Sequence, residues 1–270
     1  MILTVLIDNR TVSFAFFAGK ASTPSSVFRI AARPARTADE YAALLHSMPQ
    51  NPSTDMGLER AIIASVVPPL TDEIAKAIQT LYPGTVCLTV GAGLKTGLTL
   101  RTDVPAELGA DLVAMAVGAV SLQSAPCLVL NCGDVTTLSA INKGKEAPEY
   151  LGCAILPGAA LGVQALKEQA ALLSTVALAK PPHSIGKSTG DSVRSGVLLG
   201  LAAAIDRLIA DFEAEMETKD LSVIATGEEA ELLLPLLRHT CRYEKELAHK
   251  GLCHLAFLNE KKGKNTHKRV

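Results

Sequence analysis

The chain has 270 residues, enough for two domains at the usual ~150 residues each. Apolar residues make up 48% and charged residues 20%, which excludes a disordered or collagen-like chain and describes one that buries a core. Lys and Arg number 26 against 27 Asp and Glu, a formal charge of −1, and aromatics are 4% with no Trp. With neither a basic stripe nor a stacking platform, no nucleic acid is expected as a partner.

Residues 1–7 are apolar but run into Asp8 and Arg10 without a basic leader or a small-residue cleavage site, so they read as a strand and not as a signal peptide. Apolar patterning then predicts a strand over 13–17, a helix over 37–47, a strand over 61–67, a helix over 70–81 and a strand over 85–90. Strands alternating with helices make this half α/β. A helix is expected to start near Pro105, with Asp103 as its cap, and to run through Ala114 to about Ser121. Strands resume over 127–130 and 136–141, followed by a long amphipathic pattern over 192–217, a strand over 221–225 and a helix over 228–239. Five Lys and Arg residues make 259–270 a basic tail, expected to be solvated and disordered.

Two uncharged runs need a membrane check. Residues 112–133 are broken by Ser121, Gln123, Ser124 and Pro126, and 150–166 carries Pro157-Gly158 in its middle. Both read as buried segments of soluble length, so no membrane partner is expected. The six cysteines are scattered with no CxxC and no His at ligand spacing, which predicts reduced thiols and a cytoplasmic protein.

A weak internal repeat organises the layout. An apolar strand ending in Leu6-Ile7-Asp8-Asn9-Arg10-Thr11 continues as 13–17, and Val129-Leu130-Asn131-Cys132-Gly133-Asp134 continues into 136–141. Each half later shows a strand ending in small polar residues, Ile62-Ile-Ala-Ser65 and Val223-Ile-Ala-Thr226-Gly227. Two hairpin-plus-strand halves predict a duplicated α/β unit with a cleft between the copies, a favoured place for a ligand. The boundary is expected at 118/119, giving domains 1–118 and 119–258. Two tempting motifs fail on context. Gly91-Ala-Gly-Leu-Lys-Thr-Gly97 is not followed by a helix, and Gly186-Lys187-Ser188 lacks the leading Gly and the strand of a P-loop.

Six segments in order resemble the type III pantothenate kinases, of the acetate-and-sugar-kinase, Hsp70 and actin superfamily. They are Ile62-Ile-Ala-Ser-Val-Val-Pro-Pro69, Pro105-Ala-Glu-Leu-Gly-Ala-Asp111, Asn131-Cys-Gly-Asp-Val-Thr-Thr137, Tyr150-Leu-Gly-Cys-Ala-Ile-Leu-Pro-Gly158, Ile185-Gly-Lys-Ser-Thr189 and Ile224-Ala-Thr-Gly227. The resemblance implies two ribonuclease-H-like, actin-like ATPase domains, and transfer of the ATP γ-phosphoryl to pantothenate as the opening step of coenzyme A biosynthesis. It implies Asp111 as the catalytic base, with Gly109, Ala110, Leu112 and Thr189 beside the substrate. ATP would be held by Asp8, Asn9, Arg10, Thr11, Val12 and Ser13 of the first hairpin, by Gly133, Asp134, Thr136 and Thr137 of the second, and by Gly227. Asn131 marks the monovalent cation position. ATP, Mg²⁺ and K⁺ or another monovalent cation follow, as does a homodimer, for which the apolar run 112–117 offers surplus hydrophobic surface.

Five site residues depart from the family pattern. Arg10 replaces a Gly of the first turn, Leu112 an Arg, Asn131 an Asp, Asp134 a Thr, and Glu228 the second Gly of Thr-Gly-Gly. They leave open an alternative in which a catalytically impaired member serves as a binding or regulatory protein.

Overall fold

The computed structural model describes residues 1–19, 21–48, 57–169 and 176–260. The chain divides into two compact units, one of residues 1–97, 106–121 and the segment from 248 onward, the other of 98–105 and 122–247. Beyond Glu260 the basic tail lies outside the described residues.

In the first unit, β1 (Ile2–Ile7) turns into β2 (Thr11–Phe17), which is followed by β3 (Ser26–Ala31) and α1 (Ala38–Ser47). Then come β4 (Arg60–Ser65), α2 (Pro68–Leu81) and β5 (Val86–Thr89). The sheet order is β3-β2-β1-β4-β5. β1 pairs antiparallel with β2, ending at Ile7↔Val12, and parallel with β4, ending at Ile7↔Ser65. Strands buried on both faces read as continuous apolar runs, which is how β1 and β2 stand out in the sequence. α1 starts with a capping box formed by Thr37 and Glu40, and α2 starts on Pro68-Pro69, whose fixed φ suits a first turn. Tyr41, Leu45, Ile74 and Ile78 of these helices pack on Val5, Phe14 and Ile63 of the sheet.

The second unit begins with β6 (Thr99–Leu100). A 3₁₀ turn at Pro105–Glu107 then returns the chain to the first unit, to which α3 (Ala110–Leu122) belongs up to Ser121, before the second unit resumes. β7 (Cys127–Asn131), β8 (Val135–Asn142) and β9 (Glu149–Pro157) precede α4 (Ala159–Gln169) and α5 (Thr189–Arg194). A π turn at Ser195–Leu199 joins α5 to α6 (Gly200–Glu215), and β10 (Ser222–Thr226), α7 (Ala230–Leu233) and β11 (Cys241–Tyr243) follow. The second sheet runs β11-β10-β7-β8-β9-β6. Apart from β6 this is the first sheet's order again, with β7 antiparallel to β8 and parallel to β10. The duplicated hairpin-plus-strand pattern read from the sequence is thus a duplicated sheet.

The last helix, α8 (Leu247–Leu258), belongs to the first unit. A Cβ on Gly251 would overlap the Ala114 carbonyl, so the backbones of α8 and α3 touch there. This explains why α3 is apolar all round. Val113 to Ala119 are buried within the chain, and the run 112–117 offers no surplus surface to a second copy.

Several elements differ from the sequence reading. The expected helix over 228–239 is only α7 and a 3₁₀ turn at Leu234–Leu236, because Pro235 cannot continue an α-helix. Asp103 does not cap α3, since Leu108-Gly109 separate the 3₁₀ turn from Ala110. β3, β9, α4, β11 and α8 add to the expected elements. No helix among the described residues is long and apolar enough to cross a membrane, and all six cysteines are free.

Candidate active site

In the first unit the β1–β2 connection is a tight turn. The Asp8 N–H donates to the Thr11 carbonyl at 2.8 Å, and the Asp8 side chain accepts from the Asn9 N–H at 2.6 Å. The Arg10 carbonyl accepts from the Ala32 N–H just past β3, so the turn is anchored from behind while Asp8, Asn9 and Arg10 are exposed. Val12 and Ser13 lie inward of it. Val12 is fully buried, and the Ser13 hydroxyl is 2.8 Å from Nε2 of His249, whose Nδ1 is 2.8 Å from Thr4 Oγ1. Among the residues assigned to the first hairpin, those at the turn itself are accessible and Ser13 faces the core.

Asp111 stands in the first turn of α3, half-buried. A Cβ at position 109 would collide with Asp111 Oδ1, so the Gly-Ala-Asp order lets the carboxylate fold back over Gly109. Burial raises the Asp111 pKa, with the Asp8 charge adding to the rise and N–H groups of Leu112 and Asp111 itself opposing it. The fold therefore brings Asp8 and Asp111, distant in sequence, within electrostatic reach of each other. A half-buried carboxylate with a raised pKa beside a turn is suited to taking a proton.

In the second unit the β7–β8 turn is held from two sides. The Cys132 N–H donates to the Thr226 carbonyl at 2.8 Å, the Cys132 carbonyl accepts from the Glu229 N–H at 2.9 Å, and the Asp134 carbonyl accepts from the Gly158 N–H at 2.8 Å. Gly227 has φ +102, and a Cβ there would overlap the Cys132 carbonyl and reach Asn131 Oδ1 at 2.8 Å. Gly158 likewise leaves no room for a Cβ against the Gly133 and Asp134 carbonyls. Asn131, Gly133, Asp134 and Gly227 are thus brought together by backbone contact. The Thr136 and Thr137 hydroxyl oxygens are buried with no hydrogen-bond partner, an unsatisfied state that a ligand oxygen would relieve. Burial pushes the Cys132 thiol up to about 12, so it is no nucleophile.

Thr189 is exposed at the start of α5, next to Ser188, whose hydroxyl caps the helix by accepting the Asp191 N–H at 3.1 Å. Glu229 is absent from the residues picked by sequence. Its carboxylate accepts the N–H groups of Ala159 and Ala160 at 2.7 and 2.8 Å, filling the start of α4. The available signal was an acid two residues after a turn glycine. No group of three or more His, Cys, Asp or Glu among the described residues forms a metal cluster.

The family profile of type III pantothenate kinase matches residues 2–211. Relatives of that name include one from Moorella thermoacetica, 34% identical over 93% of this chain and 97% of its own. Another, from Roseiflexus castenholzii, is 37% identical over 86% and 89%. Among solved structures, a protein described as a Baf family transcriptional activator from Campylobacter jejuni superposes with a TM-score of 0.58 at 18% identity, over 95% of this chain and 98% of its own. The ethanolamine utilization protein EutJ from Carboxydothermus hydrogenoformans gives 0.54 at 14%, over 94% and 89%. The structural likenesses support the fold.

Proposed function

The chain belongs to the type III pantothenate kinase family, and from that premise we propose how its residues transfer the γ-phosphoryl of ATP to the primary hydroxyl of pantothenate, giving 4'-phosphopantothenate for coenzyme A biosynthesis. The observation that carries the reading is the raised, half-buried Asp111 beside Asp8 in a chain matched along most of its length. Asp111 accepts the proton of the pantothenate hydroxyl as its oxygen bonds to the γ-phosphorus and ADP leaves. The proton then passes to solvent. A carboxylate with its pKa moved toward neutrality is the better base for this step.

Phosphoryl transfer needs positioning and charge neutralisation more than covalent chemistry. The backbone of Asp8 to Thr11 and of Gly133-Asp134 would face the phosphates, with the unsatisfied hydroxyl of Thr136 or Thr137, which lie on opposite faces of β8, as a further donor. Arg10 narrows the first approach, where a glycine would let phosphate come close. Gly227 borders the second turn, and Gly109, Ala110, Leu112 and Thr189 would serve the acceptor. Mg²⁺ arrives with ATP as substrate, and Asp8 and Asp111 are the carboxylates that could face it. A monovalent cation finds at Asn131 a neutral carbonyl oxygen where a carboxylate would hold it better. That donor set does not fit a strong K⁺ site, and no step depends on one.

We place the protein in the cytoplasm, which its free cysteines support. A homodimer is part of this reading, carried by the family resemblance, and Ile155, Leu161 and Leu166 of the second unit are exposed apolar side chains that a second copy would cover. Light scattering should return twice 28.3 kDa. The catalytic reading is tested by Asp111→Asn, expected to lower kcat by ~10² or more with little change in pantothenate KM. An unchanged kcat would reduce Asp111 to a helix residue.

A further inference from the structure

The mechanism leaves the half-buried carboxylate of Glu229 unused. Glu229 lies two residues after Gly227 in the loop after β10, in a set of five hydrogen bonds. Its N–H holds the Cys132 carbonyl of the second turn, and its carboxylate takes the first two N–H groups of α4. Gly158, the residue just before α4, donates to the Asp134 carbonyl on the other side of the same turn. The Cys132 N–H closes the ring on Thr226. Glu229 thus joins by hydrogen bonds the two segments that grip the turn.

We propose that Glu229 is a positioning residue for nucleotide binding, locking the loop after β10 to the start of α4 so that the Cys132–Asp134 turn keeps one shape toward the phosphates. The proposal rests on the reading that this turn faces ATP. Two charge-assisted bonds from backbone N–H groups at a helix start are strong and directional, and no water needs to replace them. The carboxylate also occupies the N–H groups an incoming phosphate would otherwise find at α4, which leaves the turn itself as the phosphate contact in this unit. A glutamine in its place keeps one acceptor oxygen but turns an NH₂ against the second N–H donor. The turn then samples more than one arrangement, and part of the binding energy goes into ordering it.

The test is steady-state kinetics on the full chain carrying Glu229→Gln, Glu229→Asp or Gly133→Val. Glu229→Gln should raise KM for ATP about tenfold while kcat and KM for pantothenate stay within twofold, and Glu229→Asp, which keeps the charge on a shorter arm, should fall between. Gly133→Val, whose Cβ meets only ordinary contacts in the turn and which adds a branched side chain to its surface, should raise KM for ATP at least as much. If Gly133→Val raises it and Glu229→Gln does not, Glu229 has no positioning role. An unchanged KM for ATP in Gly133→Val overturns the reading of the turn, and the proposal with it. A Glu229→Gln protein that loses affinity for both substrates alike, or loses its cooperative melt, shows general loosening and overturns the proposal too.

Discussion

The two units repeat one sheet order, yet each ends its central parallel strand differently. After β4 the chain goes directly into α2 through Pro68-Pro69, which bring no N–H groups to the helix start, and Val66 N–H reaches back to the Ile7 carbonyl. After β10 it passes through Gly227 at φ +102, and Glu229 then ties the β7–β8 turn to α4. The β1–β2 turn is anchored from behind by Ala32, and its three leading residues are exposed. One topology thus supports an open turn next to a proton acceptor and a clamped turn with unsatisfied hydroxyls. The duplication sets where the turns lie; the residues after the parallel strands set how firmly each is held.

The largest effect expected from this difference is in acid. Burial, with the Arg29 charge adding to it, pushes His249 in the first unit down to about 3 from 6.5. It stays neutral when folded and protonates when unfolded, so its stability contribution is complete above pH ~6.5 and is lost as pH falls toward 3, at ~1.4 kcal/mol per pH unit. In the second unit burial raises Asp206, but N–H groups of Arg238 and His239 and the His239 side chain outweigh it and hold the pKa below 3.8. Its contribution is present above that value and is lost only as pH falls through the lower folded one. Hydrogen exchange between pH 6.5 and 4.5 should therefore loosen the first unit before the second, and equal loosening would break the comparison.

Gly227→Ala is next. A positive φ outside the reach of most side chains and a Cβ against the Cys132 carbonyl should together cost about 2–3 kcal/mol, read as a lower melting temperature. Val66→Ala, after the other parallel strand, should cost under ~1 kcal/mol as an exposed site. Between these two in size is the effect of giving both turns their family residues. Arg10→Gly with Asn131→Asp should tighten ATP binding about tenfold, the ~1.4 kcal/mol of one charge-assisted hydrogen bond, and calorimetry should then show a K⁺ response that the natural protein lacks. Tight, K⁺-dependent binding by the natural protein would make Arg10 a phosphate ligand. Close to Val66→Ala in size but opposite in sign is Glu217→Gly. Glu217 sits at φ 51 just past α6, with its N–H on Ala214 and that of Thr218 on Glu213, a place where glycine is preferred. The substitution should stabilise by ~1 kcal/mol in thermal unfolding.

Much of the site was legible because its residues cluster in short ordered segments beside strand ends. β1, β4, β7 and β10 carry unbroken apolar runs, and the turns that follow them carry the polar residues. What escaped did so for physical reasons. α8 carries Gly251, Lys250 and two His, so it reads as broken, yet the glycine is what lets its backbone touch α3 and His249 is satisfied by Thr4 and Ser13. Ser13 looked like part of a phosphate turn because it follows one in sequence, while β2 is covered on both faces and Ser13 meets His249 of α8. For Glu229 the sequence offered only an acid two residues after a turn glycine, because its partners, the N–H groups of Ala159 and Ala160, belong to the backbone and leave no trace in residue identity.

The central claim, that this chain is a working kinase acting on pantothenate, is tested most directly by coupled ADP release from the purified natural protein with ATP, Mg²⁺ and K⁺, with and without pantothenate. The account predicts ADP release that requires pantothenate and yields 4'-phosphopantothenate. ADP release indifferent to pantothenate, or none at any substrate concentration, would contradict it.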